Sequence, residues 1–128
     1  MMPSRTLLVV EDDLDLRDTI AEALEVEGYT VMKALDGLDG IERLRAAVSP
    51  PDLILLDLMM PRMGGEEFFN YIKGVGGWQR IPVVILTADA NGRATAKRLG
   101  SDAFLSKPVK LALLFQTIES ELARSERA

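Results

Sequence analysis

The acidic side chains of this sequence are the groups best placed to do chemistry, and Asp57 is the first of them. Asp57 directly follows Leu53–Leu56, a run of four branched aliphatic residues. Such a run is typical of a strand that is buried on both faces of a parallel sheet. In open sheets of this kind, ligands bind at the carboxyl ends of the strands. A carboxylate at such an end is costly unless it meets a cation, so we predict that Asp57 is functional.

Other polar side chains follow the other strongly apolar runs. Asp12 and Asp13 come after the first run, Thr87 after the fourth, and Lys107 after the fifth. Because the carboxyl ends of neighbouring parallel strands lie at one rim of the sheet, the three aspartates are expected to meet in one crevice with Lys107. A site of several carboxylate oxygens with room for water suits Mg²⁺ better than a softer metal. The spacing therefore predicts a Mg²⁺ site, although Asp12 and Asp13 taken alone would also suit the cap of a helix.

Such a rim could carry out phosphoryl transfer. An ionised carboxylate can act as a nucleophile and form an aspartyl phosphate. Asp57 would attack in line, while Lys107 and the Thr87 hydroxyl would contact the other phosphoryl oxygens. The product would add roughly −1.5 to −2 charges at one point and would draw Lys107 and Thr87 inward. This chemistry predicts a switch rather than a turnover site.

The composition narrows the possible functions. The chain has 128 residues, a net charge of −5, no cysteine and no histidine. Thiol catalysis, thiolate metal sites, Ser-His-Asp chemistry and histidine ligands are therefore excluded. The negative charge argues against non-specific binding of nucleic acid by this domain. With no apolar run of membrane-spanning length and no signal-peptide pattern, we expect a cytoplasmic protein without membrane contact.

The elements that must position these residues alternate along the chain. The predicted strands are Thr6–Val10, 29–33, Leu53–Leu56, 83–86 and 103–105. The predicted helices run from residue 14 to Gly28, from the cap Asp36 to 49–51, and over about 66–73, 93–99 and 111–122, with residues 124–128 as a polar tail. The buried stripes predicted for the second and fifth helices are Leu38, Ile41, Leu44 and Val48, and Leu111, Leu114, Phe115, Ile118 and Leu122.

Five strands that alternate with five helices predict an α/β fold with a doubly wound parallel sheet. The first, third and fourth strands are the most uniformly apolar, so they are expected at the centre. Right-handed crossovers leave 2-1-3-4-5 as the simplest strand order, which is the flavodoxin-like order. We predict that residues 1–128 form a single domain.

Four short segments carry a resemblance to a known family. They are Leu8-Val9-Val10-Glu11-Asp12-Asp13, Leu56-Asp57-Leu58-Met59-Met60-Pro61, Leu86-Thr87-Ala88 and Phe104-Leu105-Ser106-Lys107-Pro108. Together and in this order, the sequence resembles the receiver domain of two-component response regulators, such as the bacterial chemotaxis regulator. The resemblance covers nearly the whole chain.

The resemblance implies a role for the acidic residues. Asp57 would accept a phosphoryl group from a histidine kinase or a phosphotransfer protein. Asp12 and Asp13 would hold Mg²⁺ together with Asp57, and the backbone carbonyl of Met59 would add a ligand.

The resemblance also assigns the residues on the other side of the rim. Thr87 would be the switch hydroxyl, Lys107 the phosphate-binding lysine, and Phe104 the aromatic residue that changes rotamer with Thr87. The bond between Lys107 and Pro108 would be cis. Helix 4, strand 5 and helix 5 would then present a changed surface to an output protein, to an attached domain or to a second copy of the chain.

Two other functions remain open at this point. The first is an interaction module of the same fold that works independently of phosphorylation, and the intact acidic and switch residues argue against it. The second is a free-standing Mg²⁺-dependent phosphatase, which the missing histidine makes a weak alternative. Because no segment for an output domain follows helix 5, we expect either a stand-alone regulator or a piece of a larger protein.

Overall fold

A computed structural model of the protein describes residues 4–127. The strands are β1 (Thr6–Val10), β2 (Thr30–Ala34), β3 (Leu53–Leu56), β4 (Val83–Thr87) and β5 (Ala103–Ser106). The helices are α1 (Leu14–Val26), α2 (Gly37–Ala46), α3 (Gly65–Lys73), α4 (Gly92–Leu99) and α5 (Leu111–Arg127).

The five strands form one parallel sheet in the order β2-β1-β3-β4-β5. The predicted α/β class and strand order are therefore confirmed. β1, β3 and β4 occupy the centre, as their uninterrupted apolar sequences require, because both faces of each strand are covered. The register pairs Val10 with Leu56, so the residues that follow these two strands stand side by side at the rim.

Each face of the sheet has its own core, because successive side chains of a strand point to opposite faces. Leu8 and Val10 of β1 pack with residues of α2, α3 and α4 on one face. Leu7 and Val9 pack with residues of α1 and α5 on the other face. The sheet is thus held between two helical layers, and its carboxyl rim is left open between the loops.

Two predicted buried positions of α2 are wrong. Leu38 is 41% exposed, and Val48 lies beyond the end of α2 and is fully exposed. Ile41 and Leu44 do pack in the core, together with Gly40, which lies against the ring of Phe68. The helix ends at Ala46, before the Pro50-Pro51 pair, so Val48 belongs to the connection and has no helical face to bury.

The predicted polar tail from residue 124 is also wrong, because α5 continues to Arg127; Ala128 lies outside the described residues. The guanidinium of Arg124 pairs with Asp102, at 2.7 Å, and with Glu121. The pair with Asp102 links the end of α5 to the start of β5, whereas the pair with Glu121 lies within the helix. In the first turn of the same helix, Leu111 is 38% exposed and does not belong to the core.

At the amino-terminal rim of the sheet, two similar hydrogen bonds between a backbone N–H and an aspartate link neighbouring strands. Asp52, just before β3, accepts a hydrogen bond from the Thr6 N–H at 2.8 Å. Asp102, just before β5, accepts one from the Val83 N–H at 2.9 Å. Arg5 pairs with Asp52 and with Glu126 of α5, while Arg124 pairs with Asp102. The arginine pairs thus connect this rim to the carboxyl-terminal half of α5.

No helix within residues 4–127 is both long and apolar enough to cross a membrane.

Candidate functional site

The carboxyl rim of the sheet brings a buried acid next to a lysine. Asp57 follows β3, its residue is 4% exposed, and its backbone N–H donates to the Val10 carbonyl of β1. One carboxylate oxygen accepts a hydrogen bond from the Lys107 ammonium at 3.1 Å, and the other accepts one from the Met59 N–H at 3.2 Å. Both oxygens of this nearly buried carboxylate are therefore partnered, as a charge in a low-dielectric environment requires.

Lys107 bridges two acids. Its ammonium lies 2.8 Å from a carboxylate oxygen of Glu11 and 3.1 Å from one of Asp57. Burial alone would lower the pKa of Lys107, but the hydrogen bonds and charges of the two carboxylates raise it above its ordinary value. The lysine is therefore firmly protonated, and it compensates part of the negative charge at the rim.

Glu11 is the acid that the sequence interpretation missed. It directly follows β1, is 2% exposed, and accepts a second hydrogen bond from the Asp13 N–H at 3.1 Å. Burial raises the pKa of Glu11, and the nearby charge of Asp57 adds to this, while the bonds from Lys107 and Asp13 act in the opposite direction. The signal in the sequence was that the predicted strands end at Val10 and Leu56, so Glu11 and Asp57 each directly follow a strand; the register that pairs Val10 with Leu56 places these two residues side by side.

The structure does not bring Asp13 into the acidic group, so its predicted place beside Asp57 is wrong. Its carboxylate instead caps α1, accepting a hydrogen bond from the Leu16 N–H at 3.1 Å. Asp13 lies two residues beyond the end of the paired strand, where the chain already turns into the helix. This is the helix-capping alternative, which satisfies one of the unpaired N–H groups of the first turn.

The acids that do converge are Glu11, Asp12 and Asp57. One carboxylate oxygen of each lies within 4.8 Å of those of the other two, with Asp12 exposed and the other two buried. A set of three carboxylates with one open side matches the oxygen ligands and retained water that Mg²⁺ prefers. The donor set of this rim therefore fits the predicted cation, with Glu11 standing where Asp13 was expected.

Met59 lies in the loop that leads from Asp57 to α3. Its side chain is 59% exposed, and its backbone N–H is the group that bonds to the Asp57 carboxylate. The two ends of this loop are joined, because the Gly65 N–H donates to the Leu58 carbonyl at 3.0 Å. This bond and the bond to Asp57 keep the Met59 backbone next to the acidic group, as a carbonyl ligand would require.

Thr87 ends β4 at the same rim, and Phe104 lies two residues before the end of β5. Thr87 is 1% exposed, its hydroxyl accepts a hydrogen bond from the Asp89 N–H at 3.3 Å, and its carbonyl accepts one from the Lys107 N–H. The half-buried ring of Phe104 lies 5.0 Å beneath the Arg93 guanidinium. A Cβ atom added to Gly92, the first residue of α4, would lie 2.4 Å from Thr87 Cγ2 and 3.0 Å from the Phe104 ring. Both side chains are thus packed directly against the start of α4.

The bond between Lys107 and Pro108 is cis, as predicted. It lies in the connection between β5 and α5, directly after the residue whose ammonium reaches Asp57.

Comparison with known proteins gives a consistent result. A family model described as "Response regulator receiver domain" matches residues 7–119. The response regulator MprA of Mycobacterium ulcerans is 34% identical over 122 residues, which are 94% of this chain and 51% of that protein. The chain therefore spans about half the length of this relative.

Solved structures agree in fold. The signal receiver domain of a signal transduction histidine kinase from Syntrophus aciditrophicus superimposes with a TM-score of 0.87 and 28% identity, covering 98% of this chain and 95% of that one. The phosphorylated cyanobacterial phytochrome response regulator RcpA gives a TM-score of 0.77 and 31% identity, with 92% and 91% covered.

Proposed function

The chain belongs to the family of response regulator receiver domains, and on that premise we propose that it is a phosphorylation-dependent signalling switch whose phosphoryl acceptor is Asp57. One observation carries this proposal: a nearly buried carboxylate stands at the carboxyl end of the central strand β3 with a lysine 3.1 Å away. A histidine kinase or a phosphotransfer protein would be the donor. An output protein or an attached domain would be the target, and the reaction would take place in the cytoplasm.

The proposed step is an in-line displacement at phosphorus. A carboxylate oxygen of Asp57 attacks the phosphorus atom of a phosphohistidine or an acyl phosphate. The new P–O bond forms while the bond from phosphorus to the donor's nitrogen or oxygen breaks. The donor keeps that electron pair and leaves as imidazole, which takes up a proton, or as a carboxylate. Lys107 already contacts Asp57, so its charge is positioned to stabilise the phosphoryl oxygens without moving far.

We propose that Asp12, Asp57 and the Met59 carbonyl hold Mg²⁺, with Glu11 beside them in the position predicted for Asp13. The convergence of the Glu11, Asp12 and Asp57 carboxylates supports this ligand set. A bound Mg²⁺ neutralises charge on the phosphoryl oxygens and helps to orient the donor. The same ion would relieve the repulsion among the three acids, which Lys107 compensates only in part.

We propose that Thr87 and Phe104 transmit the modification to α4. New phosphoryl oxygens at Asp57 would compete with the present geometry for the Thr87 hydroxyl, which now faces the Asp89 N–H. Movement of Thr87 would change the space next to Gly92, which lies close to both Thr87 and the Phe104 ring. The start of α4 must then shift, which changes the surface formed by α4, β5 and α5.

The test is covalent labelling of the intact protein by acetyl phosphate with Mg²⁺. Mass spectrometry should find one added phosphoryl group, and Asp57→Asn should abolish it. Asp15→Asn is the matched control, because Asp15 is an exposed acid of α1 that takes no part in the acidic group. Labelling of Asp57→Asn at the wild-type level would disprove the acceptor. Labelling without any change in partner binding would favour the phosphorylation-independent interaction module.

A further inference from the structure

The loop between β3 and α3 is tied to the start of α2 by one arginine. The Arg62 Nε atom lies 2.5 Å from a carboxylate oxygen of Asp36, the N-cap residue of α2. The Asp36 side chain is fully buried, while the Arg62 side chain is 56% exposed. The guanidinium thus covers an interior carboxylate from the solvent side.

Asp36 needs this partner. Its other carboxylate oxygen accepts the capping hydrogen bond from the Asp39 N–H at 2.9 Å. Burial alone would raise the pKa of Asp36, but the hydrogen bonds from Arg62 and from the backbone of α2 outweigh burial and hold it below its ordinary value. A buried carboxylate that loses its cation is strongly unfavourable, so the ion pair fixes Arg62 relative to α2.

The backbone of Arg62 adopts a conformation that favours glycine. Its φ angle is +62°, in the left-handed region that residues with a Cβ atom adopt at a cost. Among residues 4–127, Arg62 is the one non-glycine residue with positive φ. Glycine would relax this turn, whereas arginine at the same position keeps the strain and gains the bond to Asp36.

A second contact lies next to the ion pair. The N–H of Gly37, the first residue of α2, donates to the Met63 carbonyl at 3.0 Å. A Cβ atom on Gly37 would lie 2.5 Å from Met63 Cγ and 2.8 Å from the Met63 carbonyl oxygen. The distal end of the loop is therefore pressed against α2.

The proximal end of the loop is anchored at the acceptor, through the Gly65–Leu58 hydrogen bond and the bond from the Met59 N–H to Asp57. Met59, Met60 and Pro61 lie between the two anchors. We infer that Arg62 is a positioning residue for phosphoryl transfer, because its ion pair with Asp36 holds the Met59 backbone against the acidic group. This inference rests on the proposed function and extends it to a residue that contacts neither the acceptor nor the other acids.

Arg62→Gly is the main test, because glycine tolerates the left-handed backbone while the whole arginine side chain, with its ion pair to Asp36, is removed. Two quantities are measured: the Mg²⁺ concentration that gives half-maximal labelling by acetyl phosphate, and the hydrogen exchange of the Met59 amide without any phosphodonor. Loss of a group that orients a metal ligand typically weakens metal binding by about 10-fold or more. We expect Arg62→Gly to raise the Mg²⁺ requirement by about 10-fold and to speed exchange at Met59. Arg62→Lys should recover part of both effects.

Arg43→Ala is the matched control, since Arg43 makes a surface ion pair on the same helix at 3.7 Å from Asp39. Asp36→Asn is the second variant, because asparagine can still cap α2 but no longer pairs with Arg62, and it should reproduce both effects. A purely structural role would lower the melting temperature and leave the Mg²⁺ requirement at its wild-type value, which would overturn the inference. Wild-type protein that takes up no phosphoryl group would instead overturn the proposed function, and this inference with it.

Discussion

Replacing Gly65 with alanine tests how closely α3 is packed against the acceptor. A Cβ atom at Gly65 would lie 2.2 Å from the Asp57 carbonyl oxygen and 2.7 Å from Leu58 Cα. Real Cβ atoms do not come closer than 3.0 Å to such atoms, so the backbone must separate by at least about 0.8 Å. Both neighbours are backbone atoms, which cannot rotate away as the end of a side chain can.

The expected cost follows from two opposing terms. Overpacking a buried contact costs about 3 kcal/mol at the upper end of its usual range. Alanine in place of glycine in a helix returns up to about 1 kcal/mol. The net loss of about 2 kcal/mol corresponds to a melting temperature lower by roughly 8 °C for a chain of this size. A shift of Asp57 approaching 1 Å should also slow its phosphorylation on the order of 100-fold.

Thermal unfolding and the rate of labelling by acetyl phosphate measure the two effects. Gly76→Ala is the matched control, because a Cβ atom there meets nothing within 4 Å and the residue lies in a loop. We expect the control to keep the wild-type melting temperature and labelling rate. If Gly65→Ala behaved like Gly76→Ala in both assays, the close approach of α3 to the acceptor would be refuted.

Three further predictions concern other parts of the site. Gly92→Ala places a Cβ atom 2.4 Å from Thr87 Cγ2, a group that can rotate, so we expect a loss of about 1 kcal/mol and altered amide chemical shifts in residues 87–92; unchanged shifts would contradict the contact. Mg²⁺ at 100 times its dissociation constant should stabilise the fold by about 2.7 kcal/mol, and Asp12→Asn should reduce the shift in melting temperature. Because the pKa of Asp36 is lowered in the folded state, its pair with Arg62 stabilises the fold above the unfolded pKa of about 3.9 and loses this effect as pH falls through the folded pKa. The difference in melting temperature between wild type and Arg62→Gly should therefore shrink between pH 6 and about pH 3.

The sheet could be predicted from the sequence because its strands differ so clearly in composition. Leu53–Leu56 contains only branched aliphatic residues and lies at the centre, while β2 carries Lys33 and lies at an edge. Strand composition and crossover handedness together left one simple order. The end of α2 was harder to place, since Val48 continues the helical spacing in sequence although the helix has already ended at Ala46.

The acidic group lies one position earlier in the chain than predicted, since it contains Glu11 and Asp12 where Asp12 and Asp13 were expected. β1 and β3 end where the sequence predicted and β4 and β5 each end one residue later, so Asp12, Asp57 and Lys107 lie at one rim with Thr87, the last residue of β4. Glu11 and Asp13 were exchanged, because three consecutive acids follow β1 and composition alone does not reveal which one starts the helix. The capping bond that the Leu16 N–H donates to the Asp13 carboxylate decides this, and it depends on where the chain turns. The ion pair between Arg62 and Asp36 joins residues 26 positions apart, and no pattern in the sequence predicts it.

The two ends of the sheet are fastened very differently, and this sets where the molecule can bend. At the amino-terminal rim, Asp52 and Asp102 accept hydrogen bonds from the backbone of neighbouring strands. Each also forms an ion pair with an arginine, either Arg124 of α5 itself or Arg5, which pairs with Glu126 of α5. At the opposite rim, the connections are loops that bear the reactive groups. A negative charge added at Asp57 therefore acts at the rim that these contacts do not hold, while the opposite rim stays fixed. Displacements should be largest at the carboxyl rim, where α4 begins, and smallest at the opposite rim, where α4 ends, while the fold itself stays intact.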